Sequence, residues 1–441
     1  MTAQKYGQCR WGQGGERRYC GEKQRTLPLL LLVLVVSWRC VPIYGMEWDC
    51  ASTNGTFERS TDCTMSDEVA VSGDLTVLGR ATVYSALTAA SGKRHFKITS
   101  GALRLKWLNM TGGDVSSAYG TGGSIYVEAA HLNISHCIFF NNLARSGGAI
   151  GGSLAARLNI SRSVFFRNHA GRGGAVYASS SALVFTNVTF ENNSAIEGGA
   201  DTGEGGAMHI RLGTFKSESN TFQKNTAALD GGAMYIYDAS AISITGSSFR
   251  KNTAGWHGGG IYVFVWSSDP SHLDLTRIHL IENKQTGGGT DGYKGGGGLY
   301  LVHKVTANIR ECTFIRNEAT TGSSGGKHGH HIMTRKSSTF GSPSLAIVNT
   351  NFTDLPGSHP FYGYQWTGTS STSSGGADTY VSPTACASNQ CSVAPFTGSC
   401  SARSDPLRGT LCQGNPSSCP SETVHKGIFT VSESLLPPTA E

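Results

Sequence analysis

The sequence predicts an all-β protein whose centre is a parallel β-helix, a solenoid in which each turn of chain stacks on the previous one. A short phrase recurs: Phe, then Asn three residues later, then a Gly-Gly pair, a small residue and an apolar stretch. A phrase that returns at a near-fixed spacing indicates stacked repeats. No sustained apolar stripe of helical period crosses these units. The Asn residues are Asn142, Asn168, Asn193, Asn225, Asn252, Asn283 and Asn317, spaced 26, 25, 32, 27, 31 and 34 residues apart.

The first strand of each unit follows its Gly-Gly pair. Glycine adopts positive φ without steric cost, and inside a helix it costs about 1 kcal/mol relative to Ala, so these pairs favour turns over helices. The predicted strands are centred on Ile125–Val127, Met208–Ile210, Met234–Ile236, Ile261–Val263 and Leu299–Leu301.

The second strand alternates apolar with polar residues, and the third begins at the Phe and ends at the Asn. Because side chains alternate between the faces of a strand, the alternation predicts an inward apolar column. An Asn side chain bonds the neighbouring backbone in a turn, which predicts an Asn column running from rung to rung. Three strands and three turns in about 25 residues make one rung, and the chain holds about eight to nine. The second strands include Leu132–Ile134, Leu158–Ile160, Ile242–Ile244, Leu273–Leu275 and Leu345–Ile347.

The composition divides the chain into five segments. Residues 1–45 predict a signal peptide or an uncleaved signal-anchor, because basic residues precede a short apolar core. We expect residues 46–119 to form an N-terminal cap with the first irregular rungs, and residues 120–366 to form the β-helix repeats. A Ser/Thr/Gly linker follows at 367–385, and 386–441 form a Cys-rich, partly disordered tail.

The N-terminal segment determines both the expected location and the charge. Its apolar core, within residues 27–38, is shorter than the roughly 20 residues that span a bilayer, so we expect an extracellular or cell-surface protein. A type II membrane-anchored form, attached through 27–38 if uncleaved, is the alternative. Residues 1–45 carry seven Lys/Arg and two Asp/Glu, which leaves about +1 of the formal net charge of +6 on the rest. A basic nucleic-acid-binding protein is therefore not indicated.

Cysteines and glycosylation sequons fit a secreted chain. Cys50 and Cys63 are candidates for a disulfide that closes the N-terminal cap. The tail has an odd number of candidates, whose pairing the sequence leaves open: Cys386, Cys391, Cys400, Cys412 and Cys419. The candidate glycosylation sites are Asn54, Asn109, Asn133, Asn159, Asn187, Asn192 and Asn351.

A tyrosine recurs between the two aliphatic residues of the first strand. If the aliphatic residues face inward, these tyrosines face outward as a ladder, since stacked strands lie about 4.8 Å apart. Such a ladder either stabilises the sheet or offers a platform for sugar rings or a protein partner. The ladder consists of Tyr126, Tyr177, Tyr235, Tyr262 and Tyr300, with His209 in a sixth unit.

The sequence contains no recognisable catalytic constellation, cofactor motif or metal site. Glu197 and Asp230 each precede a Gly-Gly pair and are expected near one another across rungs, where a turn-capping role is favoured over catalysis. His328, His330 and His331 form a dense group, but the flanking Gly and Ser predict an exposed loop.

The Phe-x-x-Asn and Gly-Gly-Ala-Ile/Val pairs resemble the repeats of chlamydial polymorphic outer-membrane proteins. The resemblance covers about residues 120–355 and is seen at Phe139–Ile150 and Phe165–Val176. It implies a right-handed parallel β-helix of the pectin-lyase-like kind, displayed outside the cell and often adhesive. Those proteins continue into a membrane β-barrel, whereas this chain continues into a Cys-rich tail.

We therefore expect a non-catalytic extracellular or cell-surface protein with a binding role, toward a glycan or protein, or a structural role. The alternative is a carbohydrate-active enzyme, a polysaccharide lyase or glycoside hydrolase. Such an enzyme needs carboxylates clustered along one groove.

Overall fold

The computed structural model describes residues 46–117, 120–196, 202–287, 295–320, 330–335 and 343–353, and the backbone of short strands elsewhere. The chain coils through four parallel sheets, here called first to fourth in the order in which one turn visits them after its Gly-Gly pair. The predicted fold class, an all-β parallel β-helix, is confirmed.

The strands of the four sheets have the following bounds. The first sheet contains Val69–Val71, Phe96–Ile98, Ile125–Glu128, Ile150–Ser153, Val176–Ser179, Met208–Arg211, Met234–Tyr237, Ile261–Phe264, Leu299–Val302, Ile332–Arg335 and Phe361–Tyr362. The second contains Gly55–Glu58, Asp74–Leu78, Ala102–Lys106, His131–Ser135, Arg157–Ser161, Ala182–Thr186, Thr214–Glu218, Ala241–Thr245, Ser271–Thr276, Val305–Arg310, Ser344–Val348, Trp366–Thr369 and Val393–Ala394. The third contains Cys63–Thr64, Ser85–Thr88, Leu108–Thr111, Ile138–Phe140, Val164–Phe166, Thr189–Glu191, Thr221–Gln223, Ser248–Arg250, His279–Ile281, Thr313–Ile315, Asn351–Thr353 and Thr372–Ser374. The short fourth sheet contains His169–Ala170, Ser194–Ala195, Thr226–Ala227, Thr253–Ala254, Lys284–Gln285 and Glu318–Ala319.

Short antiparallel strands lie outside these sheets. Gly7–Gln8 pairs with Tyr19–Cys20, and Thr423–Lys426 pairs with Asp378–Thr379 and Cys400–Ala402.

The coil begins within the segment predicted as a cap with irregular rungs. Asp74–Leu78 pairs in parallel with Ala102–Lys106, which pairs in turn with His131–Ser135 of the repeats. Trp48 is fully buried and stacks on Phe96 at 5.6 Å between ring centroids, closing the N-terminal end of the core.

Stacked phenylalanines fill the core beneath the third sheet. Neighbouring rings of Phe139, Phe165, Phe190, Phe222 and Phe249 lie 4.6–4.8 Å apart between centroids and within 9° of parallel. All five are fully buried. The next turn places Leu280 in register with Phe249, so the column requires an apolar side chain of this size and not a ring.

The predicted asparagine column is a continuous hydrogen-bonded ladder. The Nδ2 of each Asn donates to Oδ1 of the next, at 2.9–3.0 Å from Asn142 to Asn317. The same Nδ2 groups donate to third-sheet carbonyls, as Asn225 does to Phe190 at 3.0 Å. Because every ladder Asn is at most 1% exposed, these bonds satisfy polar groups that would otherwise be buried without partners.

The N-terminal disulfide is present, since Cys50 and Cys63 are bonded. Cys137 and Cys312 are buried free thiols, and burial raises the pKa of Cys137 to about 12, so it stays protonated. The tail candidates Cys386, Cys391, Cys400, Cys412 and Cys419 and the residues 27–38 lie outside the part described with side chains. In the part of the chain that the structure describes, no helix has the length and apolarity to cross a membrane.

Candidate binding surface outside the first sheet

The recurring tyrosines share one register on the outside of the first sheet, and we call Tyr177, His209, Tyr235, Tyr262 and Tyr300 the tyrosine column. Each pairs with the next on adjacent strands. Their ring centroids lie 5.2, 4.7, 5.3 and 5.4 Å apart in that order. Tyr126 lies two strands earlier, separated from the column by Gly151.

Of the two expected roles of the tyrosine ladder, sheet stabilisation and an exposed platform, burial favours the first for three of the residues. Tyr126 and Tyr177 are half-buried, but Tyr235 and Tyr262 are 6% exposed and Tyr300 is fully buried. With Val302 and Met333, the buried three form a small apolar cluster separate from the main core. The ring of His257 stacks on Tyr262 and Tyr300 at 5.3 and 5.0 Å and so contributes to their burial.

A charged column runs beside the tyrosines, at the position just before each Gly-Gly pair. Arg172, Glu204, Asp230 and His257 occupy it on successive turns. Arg172 Nε lies 3.8 Å from Glu204 Oε2, and His257 Nδ1 lies 2.7 Å from Asp230 Oδ1. On the turn before Asp230, this position is occupied by Glu204. Glu197 lies outside the described residues.

The charged column changes the protonation of the groups beside it. Burial, followed by Glu204 and Asp230, raises the pKa of Tyr235 well above its usual value. Burial, together with the nearby Arg172 and Arg211, lowers the pKa of His209 to about 3, so this imidazole is neutral at pH 7. The arrangement therefore holds two carboxylates, each with a cationic or imidazole partner, next to neutral aromatic rings.

A second row of aromatic side chains, which we call the aromatic strip, consists of Tyr237, Phe264 and Trp266. The rings of Tyr237 and Phe264 stack at 5.6 Å, and those of Phe264 and Trp266 at 6.0 Å. Trp266 is 53% exposed, and Tyr237 and Phe264 are half-buried. The guanidinium of Arg211 lies 5.7 Å from the Tyr237 ring centroid and extends the row by one turn.

Local structure fixes the position of the strip. The backbone N–H groups of Trp266 and Ser267 donate to Asp238 Oδ1 at 2.6 and 2.8 Å, which ties the turn after Phe264 to the previous turn. The His303 ring packs against Phe264 at 5.1 Å.

The strip was not predicted from the sequence, although the spacing of its residues indicates it. Tyr237 and Phe264 lie two residues after Tyr235 and Tyr262, and residues i and i+2 share a face of a strand.

The candidate glycosylation sites occupy several faces. Asn133 and Asn159 lie on the outer face of the second sheet, and Nδ2 of Asn159 donates to Oδ1 of Asn133 at 3.2 Å. Asn54, Asn159 and Asn187 are exposed, whereas the other four, Asn109, Asn133, Asn192 and Asn351, are half-buried. Their modification stays a prediction.

The histidine group is partly structural. Nδ1 of His331 lies 3.0 Å from Nδ2 of Asn317, so this buried ring closes the asparagine ladder, and His330 Nδ1 accepts the Ala319 N–H at 3.3 Å. Both rings are buried, which contradicts the expected exposed loop at these two positions, and His328 lies outside the described residues. Within the described ranges, no group of three or more His, Cys, Asp or Glu converges as metal ligands would.

Comparison with known proteins supports the fold and its handedness. A family model described as a right handed beta helix region matches residues 107–314. No curated protein and no solved structure matches the chain. The chain is thus similar to right-handed β-helix proteins over the turns that carry the asparagine ladder.

Proposed function

We propose that this protein is a non-catalytic binding protein of the cell exterior, and that the aromatic strip binds sugar rings. The observation that carries the proposal is the stacked row of Tyr237, Phe264 and Trp266 beside an exposed turn. Aromatic faces offer apolar area at little entropic cost and are enriched where a protein meets a partner.

The geometry of the strip suits an extended glycan. Tyr237 and Phe264 are in register on adjacent strands, and their ring centroids lie 5.6 Å apart. A chain of sugars laid along the solenoid axis would meet one ring after another. The buried tyrosine column lies beside these rings on the same face and supports them, since Tyr262 and Phe264 lie 6.3 Å apart between centroids.

A glycan array followed by calorimetry tests the proposal. The variant Phe264→Ser/Trp266→Ser removes two of the three rings from the outer face, and we expect its affinity for the bound glycan to fall by at least about tenfold. Trp256→Ser is the matched control, because Trp256 is 46% exposed on the other side of the tyrosine column. Equal affinity of the folded double variant and the wild type would contradict the proposal, as would the absence of any glycan ligand.

A carbohydrate-active enzyme is the second candidate, favoured by the charged column. Glu204 and Asp230 lie on adjacent turns, and His257 is hydrogen-bonded to one of them. Paired carboxylates are what glycoside hydrolysis requires. Against this, each carboxylate already has an internal partner and its side chain is only 14% exposed. Polysaccharide cleavage that disappears in both Glu204→Gln and Asp230→Asn would establish the enzyme in place of the binding protein.

We further propose a relationship for the repeat and a location for the protein outside the cell. The paired motifs at Phe139–Ile150 and Phe165–Val176 support a relationship to the repeats of chlamydial polymorphic outer-membrane proteins. The Cys50–Cys63 disulfide supports an oxidising compartment and thus export. Analysis of the mature N-terminus by mass spectrometry distinguishes a cleaved signal peptide from a type II anchor.

A further inference from the structure

Positive charge is concentrated in the early turns of the solenoid. Residues 101–172 contain seven Lys/Arg and two Asp/Glu, although the chain after residue 45 has a formal net charge of only about +1. Most of these cations lie in or next to strands of the second and third sheets, whereas the aromatic strip belongs to the first sheet. A site built from them is therefore independent of the function proposed above.

An apolar patch occupies the outer face of the third sheet in the same region. We call Ile138, Phe140, Val164 and Phe166 the phenylalanine patch. Ile138 pairs with Val164 and Phe140 with Phe166 on adjacent strands, and the two phenylalanine rings stack at 5.7 Å. The following turns place polar residues in the same outer positions: Thr189 and Glu191, Thr221 and Gln223, and Ser248 and Arg250.

One cationic side chain covers part of this patch, and others lie at the turns that lead into the third sheet. The Arg167 guanidinium lies 4.9 Å from the Phe166 ring centroid, and Lys106 Nζ lies 3.7 Å from that of Trp107. Trp107 in turn packs against His136 at 6.2 Å. Burial lowers the pKa of His136, and the positive charges of Arg162 and Lys106 lower it further.

Several cations further along the axis are paired with acids, whereas among the described residues these three are not. Further along the axis, Lys224 is 3.5 Å from Glu191, and Lys251 and Arg316 are 3.6 and 3.0 Å from Glu282. Within the described residues, Lys106, Arg162 and Arg167 have no ion pair. Cations held over aromatic rings without acidic partners form a preorganised site for anions.

We propose that the phenylalanine patch and its cations Lys106, Arg162 and Arg167 form a binding site for a sulfated polysaccharide. Lys106 lies two turns before the turn that contains both Arg162 and Arg167, so the three cations span about 10 Å along the axis. A ligand must therefore present several anionic groups within a short length, as a chain with more than one sulfate per sugar does. Guanidinium groups bind such oxyanions with paired hydrogen bonds, and the rings between them contact the sugar faces.

Other anionic partners fit this surface less well. The apolar side chains are half-buried in a flat sheet, so they do not project far enough to insert into an anionic membrane. A protein partner would require a larger apolar centre than four half-buried side chains provide.

Heparin binding, measured by calorimetry at physiological salt with the full chain, tests the site. The variant Arg162→Gln/Arg167→Gln should bind heparin at least about tenfold more weakly than the wild type. The chain offers a matched control in Arg277→Gln/Arg316→Gln. Arg277 occupies the turn position of Arg162 four turns later, and Arg316 occupies that of Arg167 five turns later, both with similar positive φ angles. The control therefore removes the same charge. This control should bind within about twofold of the wild type.

Four outcomes would overturn the proposal. They are no binding of heparin by the wild type, equal losses in both double variants, undiminished binding of desulfated heparin, and a duplex DNA that binds more tightly than heparin. The variant Phe264→Ser/Trp266→Ser should keep full heparin affinity. The experiment therefore distinguishes a wrong assignment of the aromatic strip from a wrong assignment of the phenylalanine patch.

Discussion

The Nδ2 group of Asn225 donates a hydrogen bond of 2.9 Å to Oδ1 of Asn252, one full turn of the solenoid away. Oδ1 of Asn225 in turn accepts from both the backbone N–H and the Nδ2 of Asn193, each at 3.0 Å. One amide thus satisfies buried polar groups on three turns, and its removal affects all of them.

The variant Asn225→Ala should lower the free energy of unfolding by about 4 kcal/mol, because it leaves the Asn193 N–H and the Phe190 carbonyl buried without their partners. Urea denaturation measures this loss. Asn308→Ala is the control: its Nδ2 donates to Asp274 on the outer face, where water replaces the lost bond, and the cost should stay below about 1 kcal/mol. A similar cost at both positions would contradict the role assigned to the ladder.

The phenylalanine column should tolerate leucine and not alanine. Phe222→Leu keeps most of the buried volume and reproduces the side chain that Leu280 supplies in the same column, so we expect a loss of less than about 1.5 kcal/mol. Phe222→Ala opens a cavity between two stacked rings and should cost about 3–5 kcal/mol. Thermal and urea denaturation of the two variants provide the comparison, and equal losses would show that ring stacking itself is required.

The buried His95 should make the fold less stable in mild acid. Its Nε2–H donates to the Leu87 carbonyl at 2.9 Å, its Nδ1 accepts from Ser124 Oγ at 3.0 Å, and burial lowers its pKa to about 4. Between pH 6.5 and 4 the unfolded chain binds a proton that the folded chain does not, so the free energy of unfolding falls as the pH falls, by up to about 3 kcal/mol from this group.

Urea denaturation of the wild type and His95→Gln across this range tests the effect. The variant lacks the titrating group, so its stability should decline less steeply than that of the wild type. Parallel pH profiles would show that His95 titrates alike in the folded and unfolded chains.

His136 should make binding at the phenylalanine patch stronger in acid. The ring lies among Trp107, Lys106 and Arg162, and its lowered pKa keeps it neutral at pH 7. Protonation at lower pH adds a fourth cation beside the three that are proposed to contact sulfate groups. Heparin affinity should therefore rise below the ordinary histidine pKa, and His136→Gln should abolish this rise while preserving binding at pH 7.

The repeating part of the molecule could be predicted because the same residues perform the same task on every turn. Asn168 and Phe165 recur with their neighbours, so the ladder and the core column follow from the phrase alone. The exposure of Tyr235, Tyr262 and Tyr300 could not be predicted in this way. It depends on His257, which comes from a position that varies between units and packs over the rings from outside the strand.

The two proposed binding surfaces could not be predicted from the repeated phrase either. Trp266 lies in a turn beyond the repeated phrase, and the importance of Arg167 depends on the absence of an acid beside it. The sequence pattern shows which residues face outward, but it does not show which charges are already paired.

Because every turn advances by the same step, the solenoid fixes a distance as well as a shape. The second turn of the phenylalanine patch contains Val164–Phe166, and the second turn of the aromatic strip contains Ile261–Phe264, four steps later. These two turns are roughly 19 Å apart along the axis. The number of turns therefore sets the axial separation of the two proposed binding surfaces. A polymer long enough to reach both would be held at two points at once, and the gain in avidity would depend on the number of turns between them.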